Sequence, residues 1–317
     1  MKLIIGMIIG LNIIAHAMFF PIVSYSDETG ALFGFFSQQE LLKSSKAQYF
    51  LMTQKKGQAG FVKLTNIPYK KNKLNIMLYT SNTGSSYYGI ANTSTKTTDE
   101  TLYFSNFSSN VTMEIPTTLK WDLLAGIKYN QYNEDTSKNG GRVFNNLNDI
   151  GIILGGQYDT RNSEYNATSG YFNEIAFNIY PRHQIVSNDI RYFYPYNATN
   201  TIAYRFYIAQ TIGDTDHIEY IQKVGSYFYM RGYKSNDIID NFLAFSQFEW
   251  RSNVTKWLTL CPFIEVGTIG QNISEQIETL FSYGFSTHFP LGAATLRLEL
   301  AYAETNKEFY FGFNHVF

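Results

Sequence analysis

The sequence is short of the groups that usually staple a fold or carry catalysis. A single cysteine, Cys261, occurs in 317 residues, so no disulfide can form within the chain and no thiolate cluster can hold a metal. Charged residues make up only 16%. They form no basic block, and 25 Lys and Arg against 26 Asp and Glu leave no electrostatic footprint for nucleic acid. Long hydrophobic runs are missing too. Leu3–Ile14 falls short of the roughly 18 apolar residues a spanning helix needs, and no later run reaches that length. There is no Gly-x-Ser-x-Gly elbow. His183, His217 and His315 show no metal-ligand spacing. We therefore expect no cofactor, no metal and no enzymatic activity.

At the N-terminus, Lys2 precedes the apolar run and Ala15-His16-Ala17 follows it with a small-x-small pattern. That is the layout of a cleaved secretory signal peptide over 1–17, leaving 18–317 as one mature domain. No cysteine follows the cleavage site, which excludes a lipoprotein signal. A mature chain without an apolar helix enters a membrane only as a closed barrel.

Aromatics are abundant, at 17% with 26 Phe and 25 Tyr, well above ordinary usage. Several runs alternate with period two. Over 119–130, Leu119, Trp121, Leu123, Ala125, Ile127 and Tyr129 share one face. Over 258–267, Leu258, Leu260, Pro262, Ile264 and Val266 oppose Thr259, Cys261, Phe263 and Glu265. A soluble sandwich turns its apolar face inward, whereas a transmembrane barrel turns it to lipid. Alternation alone does not separate the two. The export signal, the aromatic excess and strands of about ten residues favour the barrel. The expected class is all-β, a transmembrane antiparallel β-barrel. Strand-like runs from 31–37 to 308–317 come to an odd count, and a bacterial barrel wants an even one. We take sixteen strands, with one hidden before Pro116; the alternative is fourteen, with one run spurious. The stretches 92–100, 133–146 and 213–240 read as long loops, and Asn166–Gly170 as a turn.

The stretch 225–267 carries the sharpest pattern. Arg231-Gly232-Tyr233 lies in the last long loop, and Glu249 and Glu265 sit on the polar sides of the two strands that follow. One arginine and two carboxylates on adjacent strands suggest a buried ion cluster, because a guanidinium fork bonds carboxylates bidentately. The alternative is a solvated loop arginine with glutamates lining a wet lumen. Other fragments stand in order: Ser24–Gly30 (SYSDETG), Tyr88–Asn92 (YGIAN), Tyr158-Asp159-Thr160-Arg161-Asn162, Thr168-Ser169-Gly170-Tyr171, and Phe263-Ile264-Glu265-Val266-Gly267. In this order and spacing the chain resembles the BamA/TamA family of outer-membrane barrels, the bacterial surface antigen family. The family's turn usually has proline where Ala167 stands, its barrel entry has proline at Asp27, and its strand motif has Asp at Glu265. The resemblance implies that Arg231, Gly232 and Tyr233 form a latch, on an extracellular loop folded back into the lumen, against Glu249, Glu265 and Gly267. It also implies a turn motif of Asp159, Arg161, Asn162 and Gly170.

The terminal run alternates Phe309, Phe311, Phe313, His315 and Phe317 against Tyr310, Gly312, Asn314 and Val316. Gly312 and Phe317 resemble the C-terminal signal by which barrels are recognised for insertion, with His315 at a position normally aromatic or apolar. Ser286 and His288 lie two apart on the polar face of a strand, which makes them lumen lining and not a hydrolase pair. The mature chain leaves no room for the family's periplasmic POTRA domains before its first strand-like run. In the family those domains receive clients, so client insertion does not simply carry over; a role in outer-membrane protein or lipid biogenesis, in the bacterial outer membrane, is what the resemblance implies. The partners it implies are outer-membrane lipids, with nascent outer-membrane proteins or a periplasmic protein in place of those domains. A passive channel or structural barrel is the competing reading.

Overall fold

The computed structural model describes residues 18–26, 30–41, 45–87, 100–139, 145–164, 166–213, 217–225, 228–234, 236, 238–291, 294–304 and 306–313. The described chain is almost entirely β. No helix among these residues is long and apolar enough to cross a membrane, and the one α-helix, α1, spans only Thr136–Asn139.

Two compact units contain the strands. The first holds residues up to Ser85, Thr101–Gly155 and Asn178–Arg182; the second holds Ser86–Glu100, Gly156–Phe177 and His183–Phe317. In the first lie β1 (Met18–Ser26), β2 (Gly30–Glu40), β3 (Lys46–Gln54), β4 (Gly57–Tyr69), β5 (Asn72–Tyr87), β6 (Glu100–Pro116), β7 (Asp122–Glu134) and most of β8 (Leu147–Asp159). The second contains most of β9 (Gly170–Ile179), then β10 (His183–Pro195), β11 (Asn200–Gly213), β14 (Phe242–Thr255), β15 (Leu258–Asn272), β16 (Glu275–Leu291), β17 (Ala294–Ala303) and β18 (Asn306–Phe313). In the first unit β1 to β5 pair antiparallel in chain order where described, as β6 does with β7, and in the second unit β10, β11 and β14 to β18 pair antiparallel in chain order. The two-residue strands β12 (Gln222–Lys223) and β13 (Ile239–Asp240) pair with each other inside the loop between β11 and β14.

β1, a run the sequence pattern did not mark, pairs antiparallel with β2 along its length. Its Pro21, opposite Phe35, is the reason it was not legible, since proline lacks a ladder donor and argues against a strand. Leu119 belongs to the turn before β7, where it is 78% exposed.

Within each unit the faces are inverted relative to a water-soluble sheet. In the first, Ile127, Ile150 and Ile152 are 61%, 64% and 53% exposed, while Asn106, Asn130 and Glu134 are buried. In the second, Ile264, Val266, Phe281 and Tyr283 are each at least half exposed, while Gln247, Glu249, Glu265, Ser282 and Glu299 are buried. Period-two alternation puts such residues on opposite faces. Here the burial goes to the polar side.

Candidate functional site

The second unit gathers its buried polar face around the loop between β11 and β14. Part of that loop is a 3-10 turn at Ile218–Tyr220, followed by the β12–β13 ribbon. Its Val224, Met230, Tyr233 and Ile238 pack with Leu243, Phe245, Ile269, Leu280 and Ala303 from the strands. This apolar footing holds Arg231 among the strands.

Arg231 is fully buried and meets acids through its backbone N–H, Nε and Nη1. Its backbone N–H donates to Glu265 Oε2 at 2.7 Å and its Nε to Glu265 Oε1 at 2.5 Å. Its Nη1 donates to Glu249 Oε1 and Glu299 Oε2, both at 2.8 Å. The guanidinium also lies over the Phe263 ring, 3.6 Å from its centre, a favourable cation–π stack in a desolvated place. Burial pulls the Arg231 pKa down, but the carboxylates of Glu265, Glu299 and Glu249 outweigh it and hold it well above the ordinary arginine value.

Two further arginines complete the charges. Arg251 Nε donates to Glu249 Oε2 at 2.8 Å. Arg297 donates to Glu299 Oε1 from Nε at 2.7 Å and reaches Glu249 Oε1 from Nη2 at 3.1 Å. Arg231, Arg251 and Arg297 thus balance Glu249, Glu265 and Glu299. Buried charges persist only when paired and hydrogen-bonded, and Gln247 Nε2 and Ser282 Oγ add donors to Glu265 at 2.8 and 3.1 Å. Strand register explains the gathering: Gln247, Glu265 and Ser282 face one another across β14, β15 and β16. Ser286, Glu299 and Tyr310 form a second row across β16, β17 and β18.

Neighbours on either side of Arg231 secure the loop tip. The Gly232 N–H donates to the Tyr310 hydroxyl at 2.9 Å, and that hydroxyl donates on to the Tyr233 carbonyl at 3.3 Å. Gly232 has φ +93°, and a Cβ there would lie 2.8 Å from the Tyr302 carbonyl carbon, so only glycine allows this turn against β17. The Tyr233 hydroxyl accepts from Phe281 N–H at 3.0 Å and donates to Phe281 O at 3.2 Å. It takes both backbone groups one residue beyond the point where β17 ceases to pair with β16, at Ser282 and Ala303. Gly267 is needed for space: a Cβ would stand 2.7 Å from Phe245 Cβ and 3.2 Å from Met230 Sδ.

The turn residues form a separate, more exposed feature. Asp159 accepts from Arg161 N and Nε, each at 3.0 Å, and from Nη2 at 2.7 Å. Asn162 Oδ1 accepts the N–H groups of Thr168 and Ser169, closing the loop before Gly170. Gly170 adopts φ +109°, and a Cβ would meet Thr160 O at 2.4 Å. The turn touches the charge cluster through Ala167, whose carbonyl accepts from Arg251 Nη1 at 3.3 Å. Gly312 lies opposite Arg297 on β17, while His315 and Phe317 fall outside the described residues. Ser286 and His288 are both buried, and His288 Nδ1 stands 3.5 Å from Cys261 Sγ.

No protein-family profile matches the sequence, and no curated protein does either. Solved structures do match. BamA from Haemophilus ducreyi, in a crystal structure lacking POTRA domains 1–3, aligns with a TM-score of 0.65 at 13% identity, over 94% of this chain and 69% of that one. CdiB from Acinetobacter baumannii aligns with a TM-score of 0.61 at 12% identity, over 94% of this chain and 58% of that one. The fold is that of the BamA and CdiB outer-membrane β-barrels. At such identity the likeness concerns the fold alone.

Within this BamA-like fold the structure adds residues that sequence reasoning passed over. Glu299 and Arg297 were legible as the polar positions of Leu296-Arg297-Leu298-Glu299-Leu300, and Arg251 as the residue two beyond Glu249. Their parity placed them on the polar face. What was lacking was any sign that β17 lies within reach of Arg231.

Proposed function

We propose that the chain is a bacterial outer-membrane β-barrel whose β11–β14 loop folds into the lumen, and that it works in the assembly or translocation of outer-membrane proteins or lipids. The observation that carries this reading is the inverted pair of faces. A face bearing Ile264, Val266, Phe281 and Tyr283 half exposed is unfavourable in water, at about 25 cal/mol per Å2 of apolar surface, and is favourable against lipid. The opposite face carries a neutral cluster of six ionised groups around the loop arginine, as a filled lumen would. Likeness to the BamA and CdiB folds supports the same placement. Biogenesis is the narrower part of the proposal, resting on the family resemblance of the Arg231 loop and of the β14 and β15 motifs.

The test is depletion of the protein followed by an inventory of outer-membrane proteins and lipids. Loss of particular barrels or lipids is the expected result. Unchanged composition with altered permeability to small solutes would overturn the biogenesis role and leave a channel.

A further inference from the structure

A cavity of about 1190 Å3 opens in the first unit, larger than the roughly 300–1,000 Å3 of an ordinary small-molecule pocket. It belongs to the first unit, whereas the charge cluster belongs to the second, and its chemistry is different. Its floor is a cross-strand row in which Phe35, Leu51, Gly60 and Thr80 stand opposite one another on β2, β3, β4 and β5. Gly60 contributes no side chain of its own, and the Leu51 side chain lies over it, its Cδ2 2.4 Å from where a Cβ would stand. Tyr103 and Phe107 of β6 supply an aromatic wall.

This wall shares the face of β6 that carries Val111, which is 45% exposed opposite the 61% exposed Ile127 of β7. Gly84, with the parity of Thr80, lies against the same face, since a Cβ there would stand 2.7 Å from Tyr103 Cε1. The groove therefore opens on the apolar face of the unit, the one that meets lipid in the reading above.

Its rim is cationic. Lys55 and Lys56 form the β3–β4 turn, and Lys138 projects from α1. No Asp or Glu is among the described lining residues. Lys138 pairs with Asp135 at 3.2 Å and lies 5.2 Å from the Tyr103 ring centre. Lys56 Nζ donates to Thr101 Oγ1 at 3.1 Å, and Lys55 has no ion pair among the described residues. Three ammonium groups at one end of an apolar trough match an anion joined to hydrocarbon. A free anion would leave the trough unfilled, and a neutral lipid would leave the lysines without a counter-charge.

We propose that this groove holds one anionic lipid. Its acyl chains lie along the Phe35–Thr80 row and the Tyr103–Phe107 wall, and its phosphate lies among Lys55, Lys56 and Lys138. Long lysine stems cover apolar surface while their heads stay at the interface, and an ammonium is a compact partner for phosphate. The assignment rests on the membrane reading for which face meets lipid.

Native mass spectrometry of the full chain released from detergent micelles tests it, with dimyristoyl phosphatidylglycerol, dimyristoyl phosphatidylcholine and inorganic phosphate as probes. One phosphatidylglycerol should be retained at least tenfold more tightly than phosphatidylcholine, and inorganic phosphate should not displace it. The double variant Lys55→Glu/Lys138→Glu should lose that preference, Lys55→Arg/Lys138→Arg should keep it, and Lys256→Glu, an exposed turn lysine in the second unit, should behave as the parent. If the charge-reversed protein does not fold, Ser105→Trp fills the groove without changing its charge and should abolish retention. Equal retention of the two lipids, displacement by inorganic phosphate, or an unaffected Ser105→Trp protein would each overturn the lipid site. A chain that remains soluble without detergent would instead overturn the membrane reading itself.

Discussion

Arg231 shows how much one side chain can organise. It joins three carboxylates carried by β14, β15 and β17, and Arg297 and Arg251 bring the total to neutrality. In Arg231→Ala, Glu265 loses its only ion-pair partner among the described residues, and the cluster retains an excess negative charge. Removing one side of a buried pair costs about 3–5 kcal/mol, and the fully buried setting of Arg231 puts it in that range. The variant should melt earlier in heat-modifiability gels than the parent. Arg231→Lys should recover only part of the loss, because a single ammonium cannot reproduce the Nε and Nη1 contacts to separate acids. A melting shift no larger than that of Lys234→Ala would remove the latch from this account.

At the scale of the element, the tip of the β11–β14 loop is held by polar bonds on either side of Arg231 and by one apolar footing. The Tyr310 hydroxyl bonds both Gly232 N–H and Tyr233 O. Tyr310→Phe keeps the ring and leaves the buried Gly232 donor without this partner, at a cost of about 1–3 kcal/mol. Limited proteolysis should then cut within 228–238 faster than in the parent, while the strands stay protected. Cutting at the parental rate would mean that the Arg231 ion pairs and the apolar contacts of Met230, Tyr233 and Ile238 hold the tip without the Tyr310 hydroxyl. The shape of the element was only partly readable beforehand. The loop was evident from its polarity, but the β12–β13 ribbon is too short to show a period. The 3-10 turn likewise has no capping side chain to announce it.

Orientation belongs to the whole molecule. In the outer-membrane barrel proposed above, with both termini in the periplasm, odd-numbered connections would run outward, so the Arg231 loop and the Ile273–Ser274 turn would lie outside and the Lys256–Trp257 turn inside. Cys261 is buried, so a single engineered cysteine can be read against a quiet background. Ser274→Cys should react with an impermeant maleimide on intact cells, and Lys256→Cys only after the outer membrane is permeabilised. The opposite pattern would invert the topology, and labelling of neither in either state would count against a surface-exposed barrel.

Alternation by itself determined which residues share a face. Ile264 and Val266 were separated from Glu265, and Ser286 was grouped with His288, because successive side chains on a strand point to opposite sides. The Arg-Gly-Tyr tripeptide and the Phe263–Gly267 motif were likewise visible in one dimension. Only the tertiary structure decided which face is buried, since a period of two is identical in a sandwich and in a barrel. It also decided that Arg297 of β17 meets Glu249 of β14, and that Glu299 becomes a ligand of Arg231. Strand-by-strand pattern carries no distance between non-adjacent strands. That distance comes from how the sheet bends and from the apolar footing that carries the loop tip to the cluster.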